Sequence, residues 1–243
     1  MKRNICLFLA ALVLLTSLCG CSKPSDEAVE MHARYTAAKE LYESGFEAIV
    51  SFKTTVGDKS AEGSFNVKVA GDDASIKRDD SNDERHYVKG MAYRRGYIHG
   101  GVYYEDNDAQ LAKVCESVTR DAFKTECASF FCINPYASDF PTLTEEALAD
   151  AEFTEAGGYS AFAVSLSADA VKAYFADETI EGAEGVMVAT FDSKGDMVSL
   201  GFRFDVSWHD SDVQLFEITY EFKNIGFVPA IMAPENAEEY TEL

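Results

Sequence analysis

The side chains with chemistry to offer are few and scattered. Histidines fall at positions 32, 86, 99 and 209, and the last stands beside Asp210 and Asp212 in the run Trp208-His209-Asp210-Ser211-Asp212. That run has the residue types for acid-base work or metal ligation, but groups this close in a polar hairpin turn are ordinarily just solvated. Asp79, Ser81, Asp83 and Glu84 follow the opening spacing of a calcium loop. The glycine and the distal glutamate that complete such a loop are missing, so these residues read as a charged turn. The sequence has no nucleophile elbow, phosphate loop, dinucleotide fingerprint or paired-histidine metalloprotease motif. No catalytic residue, metal site or cofactor is therefore assigned.

Cysteine is the other reactive type. Cys6, Cys19 and Cys21 crowd the N-terminus, whereas Cys115, Cys127 and Cys132 belong to the body of the chain. In an oxidising compartment two of the latter three would pair, as 115 with 127, 115 with 132, or 127 with 132, leaving one buried thiol. An unbroken helix from 115 to 127 would hold the first pair about 18 Å apart and forbid it, so that bridge requires a break near Thr119-Arg120-Asp121. Zinc is disfavoured, because neither a second cysteine pair nor a nearby histidine completes a tetrahedral set.

The N-terminal cysteines have a different setting. Lys2-Arg3 precedes an apolar run over residues 5–15, and the stretch closes on Leu18-Cys19-Gly20-Cys21. A basic start, a short apolar core and a small residue before cysteine have the form of a secretory signal, and the uncharged run is too short to span a bilayer. Leu18-Cys19-Gly20-Cys21 resembles a bacterial lipoprotein lipobox, with Cys19 a mild departure from the usual small residue. The resemblance implies cleavage after Gly20 and a lipid on Cys21. The product would sit at the extracytoplasmic face of the cell membrane, or on the outer membrane in a two-membrane host, where Ser22 permits that delivery. Residues 1–20 are thus read as signal peptide, 21–25 as a lipidated tether, and 26–243 as one domain with an acidic C-terminal tail. Ser22-Lys23-Pro24-Ser25 spans at most about 14 Å, so the domain lies close to its membrane.

Removing residues 1–20 takes the net charge from −21 to −23. An acidic surface of that size repels nucleic acid, which is excluded as a partner. With 47% hydrophobic and 12% aromatic residues, the chain has the composition of a packed globular domain rather than a disordered one.

Periodicity supplies the elements that would position any site. After Ser25 as N-cap, Ala28, Met31, Tyr35, Ala38 and Tyr42 recur at spacings of three and four, predicting an amphipathic helix with Gly45 as its terminator. From Glu47 the period becomes two, and short alternating runs split by glycines predict an antiparallel meander through Tyr104. Asp108 is the expected cap of a helix carrying Leu111, Val114, Cys115 and Val118. A second helical piece covers 122–131, residues 136–143 are irregular, and Ser167 caps a further helix with Val171, Tyr174 and Phe175 on one side. Three long strands follow within 186–222. Val198, Leu200, Phe202, Phe204 and Val206 share one strand face, and Phe216, Ile218, Tyr220 and Phe222 share another. Residues 234–243 read as a loosely held tail.

This order of elements resembles the half-barrel lipoprotein carriers and sensors, a group that includes the outer-membrane lipoprotein carrier and the mycobacterial lipid-carrying lipoproteins. The closest stretches are Tyr87-Val88-Lys89-Gly90-Met91-Ala92-Tyr93, Ile218-Thr219-Tyr220-Glu221-Phe222, Pro229 and Pro234. The resemblance implies an α+β fold in which a curved antiparallel sheet, a half-barrel, packs on the N-terminal helix and a helical insertion. It also implies a non-enzymatic binder of a lipid or other apolar ligand, with Phe202, Phe204, Phe216, Ile218 and Phe222 as candidate cavity walls. An envelope protein-interaction or sensing module of the same fold is the alternative, and an uncharacterised enzyme the second.

Overall fold

The computed structural model describes residues 25–79, 83–99, 102–104, 113–209 and 212–243. Residues 1–20, read above as a signal peptide, Cys21 and residues 80–82, 108, 111 and 210 lie outside them.

Ser25 caps helix α1 (Asp26–Glu43), its hydroxyl accepting from the Ala28 amide at 3.1 Å. Asp26 and Glu27 occupy the first turn, where their charge favours the helix dipole. The five residues expected on the inner face, Ala28, Met31, Tyr35, Ala38 and Tyr42, are all buried. Gly45 is not the terminator. Ser44 closes the helix in a right-handed conformation, and Gly45 opens the next strand, where a β-carbon would lie 2.6 Å from the Val69 carbonyl.

The strands are β1 (Gly45–Val56), β2 (Lys59–Ala70), β3 (Asp73–Arg78), β4 (Glu84–Val88), β5 (Met91–Arg95), β6 (Tyr97–His99), β7 (Val102–Tyr104), β8 (Lys113–Ser117), β9 (Glu152–Ala156), β10 (Tyr159–Leu166), β11 (Ile180–Phe191), β12 (Met197–Trp208), β13 (Gln214–Ile225) and β14 (Thr241–Glu242). Twelve of them form one open, curved sheet in the order β14-β8-β5-β4-β3-β2-β1-β13-β12-β11-β10-β9, while β6 and β7 pair separately. All ladders in the large sheet are antiparallel except β14 on β8. The central ladder is set by β1, which pairs with β2 on one side and β13 on the other.

Every longer helix packs on one face of this sheet. Besides α1 these are α2 (Arg120–Phe131), capped by Thr119, and α4 (Ala168–Phe175), capped by Ser167; α3 (Glu145–Ala149) is a short turn capped by Thr144. The opposite face is solvated and laced with pairs such as Lys68–Glu47 and Lys53–Glu217. The architecture is therefore the α+β class expected, a curved sheet over an N-terminal helix and a helical insertion.

Two expectations are corrected. Val114 and Cys115, read as helical, lie in strand β8, because Val114 pairs with Arg94 of β5 and is fully buried there. The C-terminal residues are not loose. Thr241 and Glu242 pair in parallel with Val114 and Cys115, the Leu243 amide donates to the Cys115 carbonyl at 3.0 Å, and Tyr240 packs edge-on against Tyr93.

Candidate functional site

The register brings the candidate wall residues together. Phe202 stands opposite Ile218 and Phe204 opposite Phe216, while Phe52 and Thr54 of β1 flank Ile218 and Phe216 from the other side. Phe222 lies further along β13, half-buried against Tyr42 at 4.4 Å and Phe46 at 5.4 Å between ring centroids. The inner face of the sheet is thus continuously aromatic across β1, β13 and β12.

What covers that face was not legible beforehand. Tyr174 of α4 packs with its ring tilted at 5.0 Å from Phe202 and 4.9 Å from Phe204, and Phe175 lies 4.9 Å from Phe216. Phe140 reaches in from the segment after α2 to within 5.3 Å of Tyr220 and 6.3 Å of Phe46 and Phe202. Phe202, Phe204, Phe216 and Ile218 are accordingly buried, and here they form a packed core rather than the lining of a hollow.

The cover at the centre is residues 132–143, irregular except for one 3-10 turn, Ala137–Asp139. Ile133, Asn134, Tyr136, Ala137, Phe140 and Leu143 are all buried in it. A backbone buried without a ladder must find partners elsewhere. Tyrosines on three other elements supply them. Tyr35 of α1 donates to the Pro141 carbonyl at 2.8 Å, Tyr220 of β13 donates to the Asn134 carbonyl at 2.9 Å and accepts from the Asn134 amide at 3.1 Å, and Tyr174 lies 3.3 Å from the Cys132 carbonyl and 2.9 Å from the Tyr220 oxygen. Within the segment, Tyr136 donates outward to the Asp72 carbonyl at 3.0 Å. Burial pushes the hydroxyls of Tyr35, Tyr174 and Tyr220 well above the ordinary tyrosine value. They remain donors at any physiological pH.

The same segment carries local cost. Cys132 sits in the left-handed region at φ 56°, and the Asn134 side-chain amide nitrogen is buried without a hydrogen-bond partner. Each feature costs on the order of 1–3 kcal/mol.

None of the three cysteine pairings is made. Cys115 on β8 has its sulfur 4.0 Å from the Tyr240 carbonyl, Cys127 faces the core from α2, and Cys132 forms the left-handed cap of that helix. The break at Val118-Thr119 exists, yet the thiols occupy separate environments and stay free. Burial raises all three, Cys132 to about 12, so none is a thiolate nucleophile.

The histidines are dispersed. His32 lies 3.0 Å from the Leu143 carbonyl, His86 pairs with Glu84, and His209 lies 2.9 Å from exposed Glu181; the side chain of His99 is outside the described set. No group of three or more metal-ligating residues exists among the described residues, nor is any described helix long and apolar enough to cross a membrane.

Two further features went unnoticed in the sequence. Arg85 and Arg94, paired across β4 and β5 and nearly buried, share the Glu126 carboxylate of α2 at 3.0 and 2.7 Å. A shallow hollow of about 550 Å³ opens among Ser51, Phe52, Lys53, Glu62, Gly63, Ser64, Glu217 and Thr219, most of them residues of the solvated face.

No family model matches the chain, and no curated protein matches it. Several solved structures do. The Mycobacterium tuberculosis lipoprotein LppX is similar at 12% identity, over 86% of this chain and 100% of that one, with a TM-score of 0.42. LprF from Mycobacterium bovis is similar at 8% identity over 88% and 99%, with a TM-score of 0.36, and a LolA superfamily protein from Nitrosomonas europaea at 7% over 79% and 93%, with a TM-score of 0.30. The likeness is distant. It extends to nearly the full length of each neighbour and leaves ligand and partner to be argued from this chain's own residues.

Proposed function

We propose that the protein is exported, anchored at the outer face of a bacterial membrane through a lipid on Cys21, and binds an apolar or amphiphilic molecule without catalysing a reaction. The observation that carries the binding role is the irregular segment 132–143 lying over the aromatic face of the sheet. It is held there by the hydroxyls of Tyr35, Tyr174 and Tyr220 rather than by a backbone ladder, and it contains a strained Cys132 and an unpartnered side-chain nitrogen on Asn134. Such a cover can be displaced as a unit. Displacement would uncover Phe46, Phe202 and Tyr220 to an incoming acyl chain or ring system.

Anchoring and binding are tested separately. Mass spectrometry of the full chain expressed in a bacterial host should find residues 1–20 removed and a diacylglyceryl mass on the new N-terminus, both lost in Cys21→Ala. Organic extracts of gently purified protein should contain one apolar species. The protein should also bind a neutral naphthylamine fluorophore saturably. A Tyr35→Phe/Tyr174→Phe/Tyr220→Phe variant loses three holds worth roughly 1 kcal/mol each and should bind that probe up to about 100-fold more tightly. Phe202→Ala with Phe46→Ala should weaken binding. An empty extract together with no saturable binding in any variant would refute the binding role.

A further inference from the structure

Tyr174 of α4 and Tyr220 of β13 place their hydroxyl oxygens 2.9 Å apart inside the core, and both residues are fully buried. Two hydroxyls carry two hydrogens. Tyr220 gives its hydrogen to the Asn134 carbonyl at 2.9 Å, while its oxygen accepts from the Asn134 amide at 3.1 Å. Tyr174 then places its own hydrogen on the Tyr220 oxygen, with the Cys132 carbonyl at 3.3 Å as the other acceptor in reach. The pair can close one hydrogen bond within itself, so one hydrogen always goes to an outside acceptor. In the closed protein that acceptor belongs to segment 132–143.

The rings around the pair are apolar. Phe202 and Phe204 lie against Tyr174, and Phe140 and Phe202 against Tyr220. Lifting the segment takes away the Asn134 and Cys132 carbonyls together. A hydrocarbon on the uncovered face would then leave one hydroxyl hydrogen unpaired, which costs about tenfold or more in affinity. Asn134 adds a further donor at the same point. Its side-chain oxygen accepts from the Tyr136 amide at 3.2 Å, whereas its side-chain nitrogen is buried without a partner. The local imbalance is toward donors.

We propose that the apolar molecule bound beneath segment 132–143 carries a neutral oxygen acceptor, an ester or ketone carbonyl, which replaces the Asn134 carbonyl on the Tyr174–Tyr220 pair. The inference rests on the binding role proposed above and names the class of ligand that role requires. One lone pair of the carbonyl oxygen takes the tyrosine hydrogen, and the other is open to the Asn134 side-chain nitrogen as the segment settles over the ligand. The acceptor is neutral. Both hydroxyls bond only to backbone groups and to each other, so a carboxylate buried there would lack the counter-charge that burial demands.

The probes are methyl naphthyl ketone and isopropylnaphthalene, substituted at the same ring carbon and differing by a carbonyl oxygen in place of a methyl group. Each is titrated against the full chain loaded with the naphthylamine fluorophore, and the ratio of their displacement constants is compared between variants. Loosening of the cover changes both constants alike and cancels in the ratio. In Tyr174→Phe/Tyr220→Phe the preference for the ketone over its alkyl analogue should fall about tenfold. Tyr174→Phe alone should keep it, because Tyr220 still has its hydrogen to give. If the double variant does not fold, Tyr220→Phe is read in its place and should lose roughly threefold. Naphthoate, an anion of the same shape, should displace the fluorophore at least about tenfold less readily than the ketone. A ratio unchanged by the loss of Tyr220, or equal displacement by naphthoate, overturns this proposal and leaves the binding role standing. If neither probe nor fluorophore binds in any variant, the binding role falls and this inference falls with it.

Discussion

Tyr35, Tyr174 and Tyr220 hold the backbone above them with hydroxyls that act only while protonated. Burial raises each above the ordinary value of 10.0, and Tyr42 and Tyr136 are raised as well. Below pH 10 these groups are protonated in both folded and unfolded chains and add no pH dependence. Above it the unfolded chain releases protons that the folded chain keeps, so stability falls as pH rises toward the raised folded values. The urea midpoint should therefore begin to fall near pH 9, where the thiols of Cys115, Cys127 and Cys132 ionise in the unfolded chain before they do in the folded one, and fall more steeply beyond pH 10 as the tyrosines join them. Each such tyrosine contributes a slope of about 1.4 kcal/mol per pH unit, and Tyr174→Phe should remove one increment. The tyrosines that matter here were not evident in the sequence. Tyr220 sits in a clear alternation, but nothing local says that its hydroxyl meets the Asn134 backbone, 86 positions away.

At the scale of elements, legibility followed periodicity. Helix α1 was readable in cap and inner face because Ser25 and the five apolar positions state a period of 3.6 by themselves. Strand β8 was misread because Val114-Cys115 suits either period, and its identity comes from pairing with β5. The aromatic faces of β12 and β13 were correctly aligned, yet what lies over them is set by 132–143, which has no period to read. The contact of α2 with β4 and β5 was equally hidden, since it depends on Glu126 meeting Arg85 and Arg94. Both guanidiniums are nearly buried, so Glu126→Ala would strand the charge of Arg85 and leave Arg94 with half-exposed Glu116 alone. It should cost about 3–5 kcal/mol, measured by urea unfolding, whereas an exposed pair such as Arg34–Glu30 should change stability by less than about 1 kcal/mol.

Across the whole molecule, the sheet runs from β9 at one edge to β8, which the chain's own C-terminus covers. Lys113–Glu239 and the Tyr93–Tyr240 contact lead the last residues into place, and β14 then pairs over two residues. Deleting residues 241–243 should lower the melting temperature by roughly 2–4 °C and raise self-association in light scattering, because the β8 backbone becomes an open template. The same ladder has a consequence in time. Strand β14 follows every other strand in chain order, so a polypeptide that emerges N-terminus first can assemble every other ladder of the sheet before this one exists. The last strand made is also the one that closes the edge, and until β14 has docked β8 stays available to whatever extended chain it meets.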